Sequence, residues 1–149
     1  MVVIENEMVV EPNVHDAQVM GIILEKNGRA VLALEGADGR GMCLVMDGVV
    51  RLKANDFRQG NTLLSLSVSE GASLDVGDVA EAYGVSRTDQ DFLPQAMVKL
   101  ASEGFIVVRM SPSYGCSMVC ICRDVNVIEC SLSSLIDSEG SKGGVARGP

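Results

Sequence analysis

Short apolar segments separated by tight-turn dipeptides fill the first half of the chain. Asn-Gly and Asp-Gly supply the positive φ angles that two-residue turns need, so the pattern predicts antiparallel strands joined by hairpins. The turn pairs are Asn27-Gly28, Asp38-Gly39 and Asp47-Gly48. The predicted strands span about residues 17–25, 29–35, 41–46 and 49–54.

A fifth strand at residues 62–69 alternates apolar and polar positions. The apolar positions are Leu64, Leu66 and Val68, and the polar positions are Ser65, Ser67 and Ser69. Because a strand points alternate side chains to opposite faces, this pattern predicts one buried face and one solvated face. Together the five strands predict an antiparallel β meander over residues 15–70.

The period of the pattern then changes from two residues to that of a helix. A first helix is predicted over residues 75–83, with Gly84 placed as its C-terminal cap. A second helix is predicted over residues 92–103, and Gly104 follows its end. Both belong to a helical segment at residues 74–104.

Three more apolar segments predict a second β segment at residues 105–132. Its strands are placed at residues 105–110, 115–123 and 125–132, with SPSYG as the first turn. The Gly/Ser-rich residues 133–149 predict a disordered tail. The expected fold class is therefore α+β, an antiparallel β meander with a two-helix insertion and further C-terminal strands, in a single domain over residues 1–132.

The chain is acidic, with 20 Asp and Glu against 12 Lys and Arg, a net charge of −8 and a pI near 4.5. Such a surface repels nucleic acid and anionic membranes, so neither is expected as a partner. A basic protein partner such as a toxin domain suits it better. A homo-oligomer formed through a sheet edge is the alternative.

Five cysteines and no recognisable secretion signal predict a cytoplasmic protein with free thiols. The segment MVVIENEMVVEP lacks a basic start, and glutamates interrupt its apolar runs. No apolar run reaches the length of a membrane span.

Three of the cysteines lie close together in SPSYGCSMVCICRD and raise the question of a metal or redox site. In a strand, Cys116, Met118, Cys120 and Cys122 share one face. Zinc sites usually take paired C-x2-C knuckles and thioredoxin-type sites take C-x-x-C at a helix start, whereas the spacings here are C-x3-C and C-x-C. We therefore interpret these cysteines as small buried side chains of a core strand and expect no metal and no cofactor.

No organised catalytic set is visible in the sequence. His15 is the single histidine, and apart from the adjacent Asp16 it has no partner for acid–base work. Carboxylates are scattered, and phosphate loops, nucleophile elbows and dinucleotide glycine patterns are missing. The chain is therefore predicted not to be an enzyme.

The stretches DVAEAYGVSRT and AMVKLASEGFIVVR, within residues 74–109, resemble the winged helix-turn-helix of bacterial transcription regulators of the GntR type. The resemblance implies that residues 86–88 open a DNA-recognition helix and that the following strand belongs to the wing. The insertion DQDFLPQ and Pro94 depart from that pattern. Residues 70–104 contain seven acids and two bases, a net charge of 2 − 7 = −5 that opposes phosphate attraction.

The stretches VHDAQVMGIILE, GVVRLKANDFRQGN and SPSYGC resemble small β-rich bacterial proteins of the immunity type, which neutralise toxins delivered between competing cells. The matching residues are His15, Asp16, Gly48, Val49, Leu52, Asn61, Ser113, Tyr114 and Gly115. These residues mark a fold rather than a catalytic set. The resemblance implies a non-catalytic inhibitor that binds a toxin.

The predicted function is accordingly a non-catalytic protein-binding module, most concretely an immunity-type inhibitor of a bacterial toxin. The alternative is a transcription regulator that binds DNA through residues 74–109. The candidate contact residues combine charge or an amphipathic ring with expected exposure. They are Asp89, Gln90, Asp91 and Tyr114.

Overall fold

A computed structural model describes residues 2–130 as ten strands and two α-helices. The strands are β1 (Val3–Glu5), β2 (Met8–Glu11), β3 (Gln18–Leu24), β4 (Ala30–Glu35), β5 (Gly41–Asp47), β6 (Arg51–Asn55), β7 (Thr62–Glu70), β8 (Ile106–Tyr114), β9 (Ser117–Cys122) and β10 (Asp124–Glu129). The helices are α1 (Val76–Tyr83) and α2 (Leu93–Ser102). The expected β-rich fold with two helices between its β segments is confirmed. The predicted tail at residues 133–149 lies outside the described residues.

All ten strands join one open antiparallel sheet. Its order is β10-β5-β4-β3-β7-β8-β9-β6, and β2 pairs with both β1 and β7. Strands β3 and β7 meet at the pair Gln18–Thr62. We call β10, β5, β4 and β3 the first half-sheet, and the remaining strands the second half-sheet.

The inward faces of the two half-sheets share one apolar core. Leu32 and Leu44 of the first half-sheet lie in the same cluster as Leu66, Met110 and Met118 of the second, and none of the five is more than 1% exposed. The sheet therefore folds over its own core, as the two layers of a β-sandwich do.

Both helices cover the outer face of the second half-sheet. Val119 and Ile121 of β9 point away from the first core and pack with Val79 of α1 and Leu100 of α2. The apolar stripe of each helix is buried in this second cluster, which explains why two short helices are stable here.

The predicted five-strand meander holds only for β3, β4 and β5; β6 is a strand as predicted, but its expected place beside β5 is wrong. Strand β6 pairs with β9 at the far edge of the second half-sheet instead of continuing beside β5. Gly48 turns the chain at φ +65°, and the amide of Val50 donates to the carbonyl of Ile121. The Asp47-Gly48 pair thus makes a crossover between half-sheets rather than a hairpin.

An N-terminal hairpin, β1–β2, was not predicted. Its turn places Asn6 at φ +48° and Glu7 at φ +65°. Glycine usually supplies this conformation, so the sequence lacks the Asn-Gly or Asp-Gly signal that marks other hairpins. The carbonyl of Glu7 accepts from the amide of Val68, which attaches the hairpin to β7.

The alternation expected in β7 fails at its first leucine. Leu63 is 1% exposed and faces the core, whereas Leu64, predicted on the buried face, is 47% exposed. The ladder between β7 and β8 pairs Leu63 with Pro112 and then Ser65 with Ser111, so Leu64 is the extra residue of a β-bulge. Beyond the bulge, Leu66 and Val68 are buried as predicted.

The predicted SPSYG turn is mostly strand, because β8 continues to Tyr114. The reversal is confined to Gly115, at φ +84°, and Cys116. Asn61, 1% exposed, fixes this turn: its Oδ1 accepts from the amides of Cys116 (3.0 Å) and Arg58 (2.7 Å), and its Nδ2 donates to the carbonyl of Arg58. Asn61 and Gly115, two of the residues that carry the immunity-type resemblance, are therefore in contact.

The cysteines divide into two groups. Cys116, Cys120 and Cys122 are free and buried in the core with Met118, as the strand pattern predicts. Burial raises the pKa of the Cys116 thiol, and a hydrogen bond with the side chain of Cys120, together with burial, raises that of Cys122. These groups stay protonated and poorly nucleophilic.

The expectation that all five thiols are free is wrong, because Cys43 and Cys130 form a disulfide. It joins the neighbouring strands β5 and β10 where the described part of the chain ends. Sequence spacing gave no sign of this pair, since 87 positions separate its members.

Among residues 2–130, no helix combines the length and apolarity that crossing a membrane requires.

Candidate functional site

Three of the five aromatic residues of the chain converge on one groove. Tyr83, Phe92 and Phe105 line it together with Val50 and Leu100, and its volume is about 380 Å³. Phe92 and Val50 are exposed by 41% and 44%, so the groove is open to solvent. Tyr83 is partly buried and Phe105 is only 5% exposed, so Phe92 is the most accessible ring. An exposed aromatic side chain beside apolar ones is typical of the anchor regions of protein interfaces.

The two aromatic rings are positioned by the ends of the helices. Helix α1 ends at Tyr83 because Gly84 adopts the left-handed conformation, and α2 begins directly after Phe92. The rings of Tyr83 and Phe92 pack edge to face with centroids 5.1 Å apart. The connection between the helices therefore presents both rings on one surface.

Asp89 fixes the conformation of this connection. Its Oδ1 accepts from the amides of Asp91 (3.0 Å) and Phe92 (2.7 Å), which satisfies two donors at the start of α2. Pro94 stands in the first turn of α2, where its missing amide costs nothing. The insertion that departs from the winged-helix pattern thus forms an ordered loop at residues 89–92 and the first three residues of α2.

Two arginines stack on the aromatic rings. The guanidinium carbon of Arg51 lies 5.1 Å from the centroid of Tyr83, and that of Arg123 lies 4.2 Å from the centroid of Phe105. Nη1 of Arg123 also donates to the carbonyl of Glu103 at 2.8 Å. Stacked arginines and aromatics are the residues most enriched among strong interface contacts.

A separate ionic cluster lies between α1 and the second half-sheet. Arg109 of β8 contacts Asp78 (3.4 Å) and Glu81 (2.6 Å), and Nδ2 of Asn55 donates to Glu81 at 3.3 Å. Nη1 of Arg109 is fully buried, and its contact with Glu81 is close but too poorly aligned for a hydrogen bond. This cluster holds α1 on the sheet.

Burial raises the pKa of Asp78, although the charge of Arg109 opposes the shift. The unfolded chain therefore ionises this carboxyl more readily than the folded one does. The stabilising contribution of Asp78 is complete below the ordinary carboxyl pKa of about 4 and is lost as the pH rises through the raised value.

We expect the unfolding free energy of the wild type, relative to that of Asp78→Asn, to decrease as the pH rises from about 4 towards neutrality. Urea denaturation of both proteins at several pH values measures this difference. Asp91→Asn, at an exposed position, is the control. A difference that is constant or increases with pH contradicts the assignment.

The structure does not bring the four predicted contact residues together. Asp91 and Gln90 are exposed beside Phe92, but the carboxylate of Asp89 is engaged with the backbone. Tyr114 is 54% exposed at the other end of β8 from the helices, about 26 Å of strand away from Ile106. The loop therefore adjoins the groove, whereas Tyr114 lies elsewhere.

His15 and Asp16 lie on the surface at the opposite end of the sheet. Nδ1 of His15 is 3.0 Å from Oδ2 of Asp16, and both side chains are more than half exposed. A shallow cavity of about 320 Å³ next to them is lined by Arg40 and Glu129, among others. The pair is a local surface contact at the entrance to β3.

Sequence reasoning missed Tyr83, Phe92, Phe105 and both stacked arginines. Each of these rings fits the apolar pattern of its own segment, so none stood out as a binding residue. The one usable signal is that the chain has only five aromatic residues. Three of them lying at one site is more than chance would suggest, but their sequence positions do not show that they meet.

Comparison of the chain with protein-family models, curated proteins and solved structures found no match.

Proposed function

We propose that this chain is a non-catalytic protein-binding module that holds its partner at the groove formed by Tyr83, Phe92 and Phe105. The observation that supports this is the open groove lined by three aromatic rings, of which Phe92 is 41% exposed, with arginines stacked on Tyr83 and Phe105. Such a surface offers apolar anchoring and directional polar contacts at one place. The exposed loop beside Phe92 extends the contact surface.

Inhibition of a bacterial toxin is the most concrete form of this proposal. The net charge of −8 favours a partner that is basic overall, because opposite charges accelerate encounter and suppress wrong partners. Cys116, Cys120 and Cys122 are buried, so no free thiol lies on the surface of residues 2–130. Binding alone is sufficient for an inhibitor.

The geometry favours a protein partner over DNA. In a winged helix-turn-helix, the hairpin after the recognition helix reaches a groove of DNA, but here the corresponding hairpin is β8–β9, in the interior of the sheet. Val108, Met110 and Val119 of that hairpin are completely buried. Residues 70–104, which include both helices of the segment that resembles this motif, also have a net charge of −5.

Affinity capture from lysate of the native cell, treated with nuclease, tests the proposal. We expect the wild type to retain one basic protein near equal stoichiometry, and Phe92→Ala to weaken binding of that purified protein about tenfold or more. Coexpression of the chain with the captured protein should also relieve its toxicity.

Phe57→Ala is the matched control, because Phe57 is exposed to a similar extent, 51%, but lies outside the groove. We expect this variant to bind as the wild type does. Equal losses in both variants, or recovery of DNA alone when nuclease is omitted, would overturn the proposal.

A further inference from the structure

Most cations of residues 2–130 that have no carboxylate oxygen within 4.0 Å lie at or beside the groove. Of the ten lysines and arginines in residues 2–130, four have a carboxylate oxygen within 4.0 Å, namely Arg29, Arg40, Arg58 and Arg109. The six others are Lys26, Arg51, Lys53, Arg87, Lys99 and Arg123. Four of these six lie in the groove, on its rings or on the adjoining strand β6.

The cations surround the groove from three elements. Lys99 of α2 lines it, Arg51 of β6 lies over Tyr83, and Arg123 lies over Phe105. Lys53 is two positions beyond Arg51 and therefore on the same face of β6. Glu103 is the one acid among the groove-lining residues. Asp89 and Asp91 of the adjoining loop add two further acids. Four cations against these three acids give the site a net charge of 4 − 3 = +1, opposite in sign to the charge of the whole chain.

Strand β6 is also a free edge of the sheet. It is the last strand in the sheet order and pairs with β9 alone among the described strands. Arg51, Lys53 and Ala54 are exposed along it. Val50, immediately before β6, lines the groove, so the edge leads directly into the aromatic cluster.

We propose that the partner segment held at this site is an acidic, extended peptide. It adds a strand to β6, places carboxylates against Arg51 and Lys53, and packs an apolar side chain against Phe92 in the groove. Main-chain pairing at a free edge supplies affinity, and alternate side chains supply specificity. This inference rests on the proposed function and adds the chemistry of the partner segment, which is acidic even within a protein that is basic overall.

A fluorescein-labelled octapeptide alternating Glu and Leu is the probe, and fluorescence anisotropy at low salt is the readout. The same peptide with Lys in place of Glu is compared with it. We expect the Glu peptide to bind the full chain at least tenfold more tightly than the Lys peptide. N-methylation of alternate amides on the pairing side should also weaken binding about tenfold or more, because it removes strand hydrogen bonds.

Lys53→Glu tests the position of the site. Its matched control is Lys26→Glu, which changes the net charge equally at an unpaired cation outside the groove. We expect Lys53→Glu to weaken binding of the Glu peptide about tenfold and Lys26→Glu to have less than a twofold effect. Circular dichroism of both variants verifies that they are folded.

Equal binding of the two peptides, or equal effects of the two variants, would overturn the acidic-segment inference. Unchanged binding of the N-methylated peptide would overturn strand addition. If the wild type instead self-associates as its concentration rises, and Lys53→Glu abolishes this, then β6 pairs with a second copy of the chain and the acidic-segment inference is overturned. If the peptide does not bind as expected but Phe92→Ala still weakens binding of the captured partner, only the acidic-segment inference fails and the proposed function stands. The two failures are therefore distinguishable.

Discussion

Reduction of the Cys43–Cys130 disulfide is expected to lower the free energy of unfolding by about 4–5 kcal/mol. The reason is the length of chain that the bond closes, since 87 positions separate the two cysteines. Opening so large a loop greatly increases the conformational freedom of the unfolded chain. Urea denaturation with and without dithiothreitol measures the difference.

Two variants make this result specific. Cys43→Ser/Cys130→Ser should have the stability of the reduced wild type and should not respond to dithiothreitol. Cys116→Ala, at a free buried thiol, should keep the full response to the reductant. A wild type whose stability does not change on reduction would contradict the disulfide.

Substitution of Gly115 by Ala is expected to destabilise the chain by about 3 kcal/mol or more. Gly115 has φ +84°, and a Cβ at this position would overlap Oδ1 of Asn61. That oxygen accepts from the amides of Arg58 and Cys116, so displacing Asn61 leaves the buried amide of Cys116 and the partly buried amide of Arg58 unpaired. Urea denaturation monitored by circular dichroism gives the change.

Gly39→Ala separates backbone strain from the loss of these hydrogen bonds. Gly39 has nearly the same φ, +81°, but a Cβ there meets nothing within 4 Å. We expect it to cost only the strain of the left-handed conformation, roughly 1 kcal/mol. Similar losses in the two variants would show that the contact between Gly115 and Asn61 contributes little.

Local chemistry accounts for the elements that the sequence predicts well. Asn27-Gly28 and Asp38-Gly39 form the turns of the β3–β4 and β4–β5 hairpins, because glycine accepts their positive φ angles without strain. Gly84 ends α1 for the same reason. These features depend on neighbours within a few residues, which a sequence displays directly.

Long-range pairing accounts for what the sequence does not predict. Asp47-Gly48 is the same kind of dipeptide as the hairpin turns, yet it begins a crossover because β6 finds its partner β9 more than sixty residues later. The bulge at Leu64 places Leu63 in the core, although the residues of β7 carry no signal that marks a bulge. Neither outcome is encoded in a local pattern.

The candidate site is a product of the same long-range pairing. Val50 meets Phe105 only because β6 lies at the far edge of the second half-sheet, next to the helices. The loop at Asp89–Asp91, chosen from sequence for its charge, adjoins this site, whereas Tyr114 was chosen for its ring and lies at the other end of β8. The sequence predicts that these residues are exposed, but it does not predict which of them lie together at one site.

Hydrogen–deuterium exchange of the chain, alone and with its captured protein partner, locates the binding surface. If the partner binds at the groove, we expect slower exchange on binding in peptides that cover residues 50–55 and 83–105, with little change in the N-terminal hairpin β1–β2. Slower exchange confined to that hairpin, to the first half-sheet or to the turn at Tyr114 would contradict it.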